Sequence, residues 1–249
     1  MDIAERIACS PGTAGRSFEE SAKIFSEMGF RNMELFSRGS SASRPDLAKG
    51  PDYYRDIAAE HGMRITSFHL PIVDEGQASF DQAVRTARFG KDMGAEVLLY
   101  NATSRDLIVA TVSRFLDAVD DLGIAVAVQN HPGRAIETAE DYQAVFDGVG
   151  DEPRLKAVLE VGSFHHYGVS WRRGYDLLEG RIALVHVKDM VGQQSVPFGT
   201  GEVDIPGLFG HMSSVGYEGK FVLEMSVVDK ENTLKYTGQA LQYVIQNCS

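Results

Sequence analysis

Cysteine, long apolar runs and positive charge are all scarce in this sequence, and each scarcity closes a class of function. The two cysteines, Cys9 and Cys248, stand at opposite ends of the chain and form no Cys-x-x-Cys pair. A disulfide framework is therefore not expected. No apolar run approaches the roughly 18 residues of a membrane span. The N-terminal Met1-Asp-Ile-Ala-Glu-Arg6 is charged where a secretory leader would be apolar, so the expectation is a cytoplasmic protein with no membrane partner. Lysine and arginine total 24 against 35 acidic residues, a formal net charge of −11. A duplex binder needs a basic face to displace counterions, so nucleic acid is not expected as a partner. A glycine-rich phosphate loop is missing too. Cys9-Ser-Pro-Gly-Thr-Ala-Gly15 fits neither the dinucleotide fingerprint nor the P-loop.

What is present is a rhythm. Gly29, Gly62, Gly94, Gly123, Gly180 and Gly216 each stand just before an apolar run, and Gly150 a little further ahead of its own, with a period of roughly thirty residues, the length of one β–α unit. Ser17-Phe-Glu-Glu20 is a capping box opening a helix that ends at Gly29. Pro51 suits the first turn of a helix ending at Gly62. Leu107, Ile108, Val112, Phe115, Leu116 and Val119 recur at helical spacing before Gly123. The strands expected are Ile7–Ser10, Asn32–Phe36, Arg64–His69, Glu96–Tyr100, Ala125–Asn130, Ala157–Val161, Ala183–Val187 and Phe221–Met225. Eight β-then-α units with no linker imply parallel strands. The fold expected over residues 1–249 is thus α/β, a single (β/α)8 TIM barrel, with an open doubly wound sheet as the alternative.

In such a barrel the active site lies at the C-terminal strand ends. Those ends carry Ser10, Glu34, His69, Asn101, Gln129-Asn-His131, Glu160, His186 and Glu224. A buried strand has no packing reason to finish on a carboxylate or an imidazole. An unpaired carboxylate costs at least ~2 kcal/mol to bury, so Glu160 and Glu224 call for a metal, a cation or a proton. His69 and His131 suit substrate contact or plain hydrogen-bonded packing equally. Glu34 has Arg38 or Arg64 as alternative partners to a pocket role. Phe198-Gly-Thr-Gly-Glu-Val-Asp204 suits either backbone brought close to a ligand or an ordinary loop, with Asp204 capping the next helix. The loop Ser37–Lys49, with Arg38, Arg44 and Lys49, suits either a lid over an anionic group or a solvated loop. Trp171, Arg172 and Arg173 suit a pocket wall or helix packing.

Gln129-Asn-His131, Leu159-Glu-Val-Gly162, His186-Val-Lys-Asp189, Gly199-Thr-Gly-Glu-Val-Asp204, Gly216-Tyr-Glu-Gly219 and Glu224 together resemble the xylose isomerase-like barrel superfamily of sugar phosphate isomerase/epimerase-like proteins. The resemblance implies one divalent cation, Mn²⁺ first, then Mg²⁺, Co²⁺ or Zn²⁺. Carried over, the metal ligands fall on Gln129, Glu160, His186 and Glu224. The usual strand-five Glu is here Gln129, the strand-six Asp is Glu160, and Ser163 stands where many members carry a His. Catalytic roles are expected for Glu224, His131 and Glu160, and substrate contacts for Glu34, His69, His165, Lys188 and Trp171. The implied partner is a small sugar or sugar derivative, with homo-oligomer formation left open. The implied reaction is proton removal beside a metal-polarised carbonyl, as an isomerase or epimerase. A dehydratase or lyase acting on a keto-sugar, keto-glycoside or inosose is the alternative, and a metal-free sugar-binding or partner subunit is a third reading. The DNA-repair branch of the superfamily is disfavoured, because its Asp-x-His element after the seventh strand is absent.

Overall fold

The computed structural model describes residues 3–38 and 41–248. Seven strands come first in chain order: β1 (Ile7–Cys9), β2 (Asn32–Phe36), β3 (Arg64–His69), β4 (Val97–Leu99), β5 (Ala125–Val128), β6 (Leu155–Glu160) and β7 (Ile182–Val187). After a short hairpin, β8 (Asp189–Val191) and β9 (Gln194–Val196), comes β10 (Lys220–Leu223). The hairpin aside, these strands close in the order β1-β10-β7-β6-β5-β4-β3-β2. Each pairs with its neighbours in parallel. The expected (β/α)8 barrel is present, and the open sheet is not. No helix among the described residues is long and apolar enough to cross a membrane.

Local signals set the element ends. The capping box closes reciprocally between Ser17 and Glu20 at the start of α1 (Phe18–Met28). Gly29 ends that helix with φ 105°, a left-handed conformation costly to a residue with a Cβ. Pro51 opens α2 (Pro51–Glu60), where its missing N–H is not needed. The segment before Gly123 forms α4 (Arg105–Val119) and then tightens into a 3₁₀ turn at Asp120–Leu122. Several strands end one or two residues earlier than expected. At β5 and β10 the polar strand-end residues themselves lie just beyond the ladder.

Two apolar layers pack the molecule. The larger lies between barrel and helices. The smaller, which includes Ala8, Leu99, Ala127, Val158, Leu184 and Val222, fills the barrel interior. Successive side chains of a strand point to opposite faces. Two residues beyond these six come Ser10, Asn101, Gln129, Glu160, His186 and Glu224. Glu34 and His69 complete this polar ring from β2 and β3. The functional layer is the barrel's own interior repeat, continued one step past its apolar floor.

The glycine-rich loop has a structural role of its own. The Asp189 carboxylate accepts hydrogen bonds from the backbone N–H groups of Met190, Gly199, Gly201 and Val203, at 3.0, 2.8, 2.9 and 3.3 Å. A Cβ on Gly201 would lie 2.1 Å from Asp189 Oδ1. The glycines let the chain fold tightly around Asp189. Asp204 caps α8 (Ile205–Ser214) as expected, accepting from Gly207. Asp189→Ala leaves these four donors without their acceptor, so a loss of about 3 kcal/mol in unfolding free energy is expected by denaturant titration. A loss under about 0.5 kcal/mol, the size of an ordinary surface change, would contradict this account of the loop.

Candidate active site

The parallel register sets Glu160 opposite His186 across the β6–β7 ladder. Glu224, just past β10, donates its N–H to the Val187 carbonyl on the neighbouring strand. Three strands thus bring their tips together. His186 is fully buried, and its two ring nitrogens face different carboxylates. Nδ1 lies 2.9 Å from Glu160 Oε2 and 3.4 Å from Glu224 Oε1. Nε2 lies 3.0 Å from Glu34 Oε2. Glu34 is held in turn by the Ser67 hydroxyl, which donates to it at 2.9 Å. His69 Nε2 is 3.0 Å from the other Glu34 oxygen but out of line for a hydrogen bond, so that contact is electrostatic.

Lys188 follows His186 by two residues and so lies on the same face of the chain. Its ammonium is 3.3 Å from Glu160 Oε1 and 2.5 Å from Glu224 Oε2. Each of these carboxylates therefore gives one oxygen to Lys188 and turns the other toward His186. Gly162 makes the path possible, since a Cβ there would meet the Lys188 stem at 2.8 Å.

The electrostatics follow from burial and pairing. Burial opposes the charge of Glu160, but Lys188 and then His186 outweigh it and hold the carboxyl well below the usual range. Burial likewise opposes the charge of Glu34, and His186 and His69 outweigh it. His186 is desolvated, yet Glu34 and Glu224 hold its imidazolium well above the ordinary histidine value. Lys188 is raised for the same reason, by Glu160 and Glu224 against burial. His69 goes the other way: burial outweighs Glu34 and moves it below the ordinary histidine value.

The residues fit a divalent cation. Glu160, His186 and Glu224 each present a ligand atom, all within 4.8 Å of one another. The Nε2–Glu34 contact fixes the ring so that Nδ1 faces this cluster, the carboxylate–histidine–metal arrangement. Three carboxylates against one imidazolium and one ammonium leave the cluster at −1. Exchanging the imidazolium proton for a dication brings it to neutrality. Gln129 fits less simply. Its amide nitrogen lies 2.7 Å from Glu160 Oε2, to which it donates, and 3.1 Å from His186 Nδ1. It thus presents a donor, where a ligand must present an oxygen. A second trio, Glu34, His69 and His186, is also close enough to hold an ion, but there Glu34 Oε2 already serves both His186 and Ser67.

A cavity of about 560 Å³ opens above the cluster. Its wall includes Glu224, Lys188, Gln129, His131 and His69, from strands all round the barrel. His69 stacks on Phe36 at 3.9 Å between ring centroids. His131 is exposed on this wall, and its Nδ1 lies 2.8 Å from its neighbour's carbonyl at Pro132. A carbonyl only accepts, so Nδ1 carries the proton and the Nε2 of the neutral ring carries the lone pair.

Three residues expected at substrate lie elsewhere. Glu34 is fully buried and forms no part of the cavity wall; its partners are His186, His69 and Ser67. Trp171 belongs to the apolar core at the start of α7 (Trp171–Leu178), with the Arg172 guanidinium over its ring. His165 pairs with Glu202 at 3.1 Å, away from the wall. In the loop Ser37–Lys49, Gly39 and Ser40 lie outside the described residues. Arg38 and Ser41 line the cavity, while Lys49 pairs with Glu19 at 3.3 Å. Sequence reasoning missed Arg134, which also lines the cavity. The Pro132-Gly133 turn directly after a strand end was the signal for it.

Comparison with known proteins places this geometry in context. The family model described as xylose isomerase-like TIM barrel matches residues 22–246. An inosose dehydratase of Geobacillus thermodenitrificans is 22% identical, the match covering 100% of this chain and 87% of that protein. An L-ribulose-5-phosphate 3-epimerase of Salmonella paratyphi C is 23% identical over 93% of this chain and 90% of its own. Among solved structures, a xylose isomerase-like TIM barrel protein from Mycobacterium smegmatis in complex with magnesium superposes with a TM-score of 0.78 at 16% identity. That match covers 98% of this chain and 96% of the other.

Proposed function

Because the chain belongs to the xylose isomerase-like TIM barrel family, we propose that it is a divalent-cation-dependent enzyme that removes a proton beside the carbonyl of a sugar-derived ketone and completes the reaction by expelling water from the next carbon. The observation that carries the reading is the division of labour among the carboxylates. Glu34 and Glu160 are fully buried and tied to His186, whereas Glu224 is the one of these three carboxylates that lines the cavity. A cation held by Glu160, His186 and Glu224 would supply Lewis-acid polarisation of the substrate oxygen. Glu224 takes the proton from carbon. Lys188 fixes its carboxylate from the side, so that it acts from one position. In its doubly protonated form His131 keeps Nδ1–H on the Pro132 carbonyl and gives the Nε2 proton to the departing hydroxyl across the cavity, since β5 and β10 stand three places apart in the ring. The C–H electrons form the new carbon–carbon double bond as the C–O bond breaks, and water leaves.

Gln129 favours elimination over epimerisation. An amide cannot serve as a second base on the opposite face of the sugar, and elimination needs only one base and one acid. Epimerisation is the second reading, and its support is His131, which lines the cavity with Glu224 and in its neutral form carries a lone pair on Nε2.

The test is incubation of the Mn²⁺-loaded protein with inososes and keto-sugars in D₂O, followed by mass spectrometry and NMR. Loss of one water with enone absorbance is the expected result. Deuterium uptake without mass loss moves the assignment to epimerase. Neither outcome across the panel, with the cation bound, would return the chain to the sugar-binding reading.

A further inference from the structure

Two arginines on the cavity wall, Arg38 and Arg134, have no use in the chemistry above. Arg38 stands two residues beyond β2. Arg134 closes a turn beyond β5, its N–H donating to the His131 carbonyl at 3.1 Å. Strands β2 and β5 are three places apart in the ring of eight, so the two loops face each other over the mouth. Neither guanidinium has an ion pair among the described residues. Arg55, Arg64, Arg88, Arg105, Arg154 and Arg181 all do. Arg38 Nη1 is shielded from solvent and meets no acceptor among the described residues. A buried, unsatisfied guanidinium nitrogen is costly. The two positive charges also act on each other: burial and then the Arg134 charge make Arg38 harder to keep protonated. In a chain of net charge −11, two cations left facing each other without a carboxylate form a cradle for an anion.

We propose that the mouth of the cavity is an anion subsite in which Arg38 and Arg134 together seat a phosphate or carboxylate carried by the sugar substrate. The assignment rests on reading the cavity as a sugar site and adds the substrate's charge to it. Planar guanidinium forks match both oxyanions. With Glu224 and Lys188 at the base of the same cavity and the arginines at its mouth, the anion holds the far end of the substrate while the reacting carbons lie over the cation cluster.

The experiment is calorimetric and thermal-shift titration of the full chain with inorganic phosphate, a ketopentose, the same ketopentose as its 5-phosphate, and a hexuronate. It is repeated on Arg38→Gln, Arg134→Gln and the double variant. The charged sugar is expected to bind at least tenfold more tightly than the neutral one, with roughly a tenfold loss at each arginine removed and weakening at high salt. Preference for the ketopentose phosphate and inorganic phosphate assigns a phosphate. Preference for the hexuronate assigns a carboxylate. Equal binding of charged and neutral sugars, or a preference that survives in the double variant, overturns the subsite. The readout is binding without turnover, so it separates from the proposed reaction. An intact anion preference with no cation bound at Glu160, His186 and Glu224 sinks the reaction and leaves the subsite standing.

Discussion

Glu224→Gln is expected to lower turnover about 10³-fold, within the range for loss of a positioned general base, while the melting temperature stays close to that of the parent. Gln is nearly isosteric, so the cavity wall keeps its shape. Lys188 loses one of its two carboxylates but retains Glu160 at 3.3 Å. What disappears is the group that takes a proton from carbon, while the amide oxygen of the Gln can still serve the cation as a neutral ligand beside Glu160 and His186. The rate of substrate C–H exchange in D₂O, with cation content measured on the same samples, is the readout. A variant that binds cation and exchanges within tenfold of the parent would remove Glu224 from the role of base and leave His131 as the candidate.

The second large effect is on stability. His186 stands between Glu34 and Glu160, with Glu224 at 3.4 Å. Removing it leaves buried carboxylates facing one another, and breaking a buried ion pair from one side costs about 3–5 kcal/mol. His186→Asn is expected to lose that much in the cation-free protein. The pH dependence has a definite sign on each side. Glu34 and Glu160 are held below the usual carboxylate range, so their contribution is present above roughly pH 4.3 and is lost as pH falls toward their depressed values. His186 is held above its ordinary value, so its contribution is complete below roughly pH 6.5 and is lost as pH rises through the raised one. The cation-free protein should therefore be most stable between about pH 4.5 and 6.5, allowing for its other groups. Denaturant titrations across this range check it. An alkaline decline of the same size in parent and His186→Asn would show that another group is responsible.

The site was legible in the sequence to the extent that it follows the barrel's period of two. Val158 and Glu160, Leu184 and His186, Ala127 and Gln129, and Val222 and Glu224 are inward-facing pairs. A polar residue closing an apolar run announced each of them. Depth was not legible. Glu34 has the right parity, but only the packed barrel reveals that it is fully buried against His186, His69 and Ser67 and off the cavity wall. Trp171 illustrates a different limit, because which face of a short helix turns inward depends on where that helix docks. The same holds for Asp189, whose four acceptor contacts reach residues up to fourteen positions away. A local reading of the glycines leaves the loop between two roles for that reason. Lys188 lay in a motif already singled out, yet its partners Glu160 and Glu224 come from two other strands.

The central claim is that a cation replaces a proton on His186 within the Glu160–His186–Glu224 cluster. Ligands must be deprotonated to bind metal, so binding should release protons. The most direct measurement is calorimetric Mn²⁺ titration of the chelator-treated protein at pH 7 in two buffers of different ionisation enthalpy. The account predicts one equivalent bound, about one proton released, and loss of binding in Glu160→Gln and in His186→Asn. No binding, or binding with no proton release that persists in both variants, would contradict it.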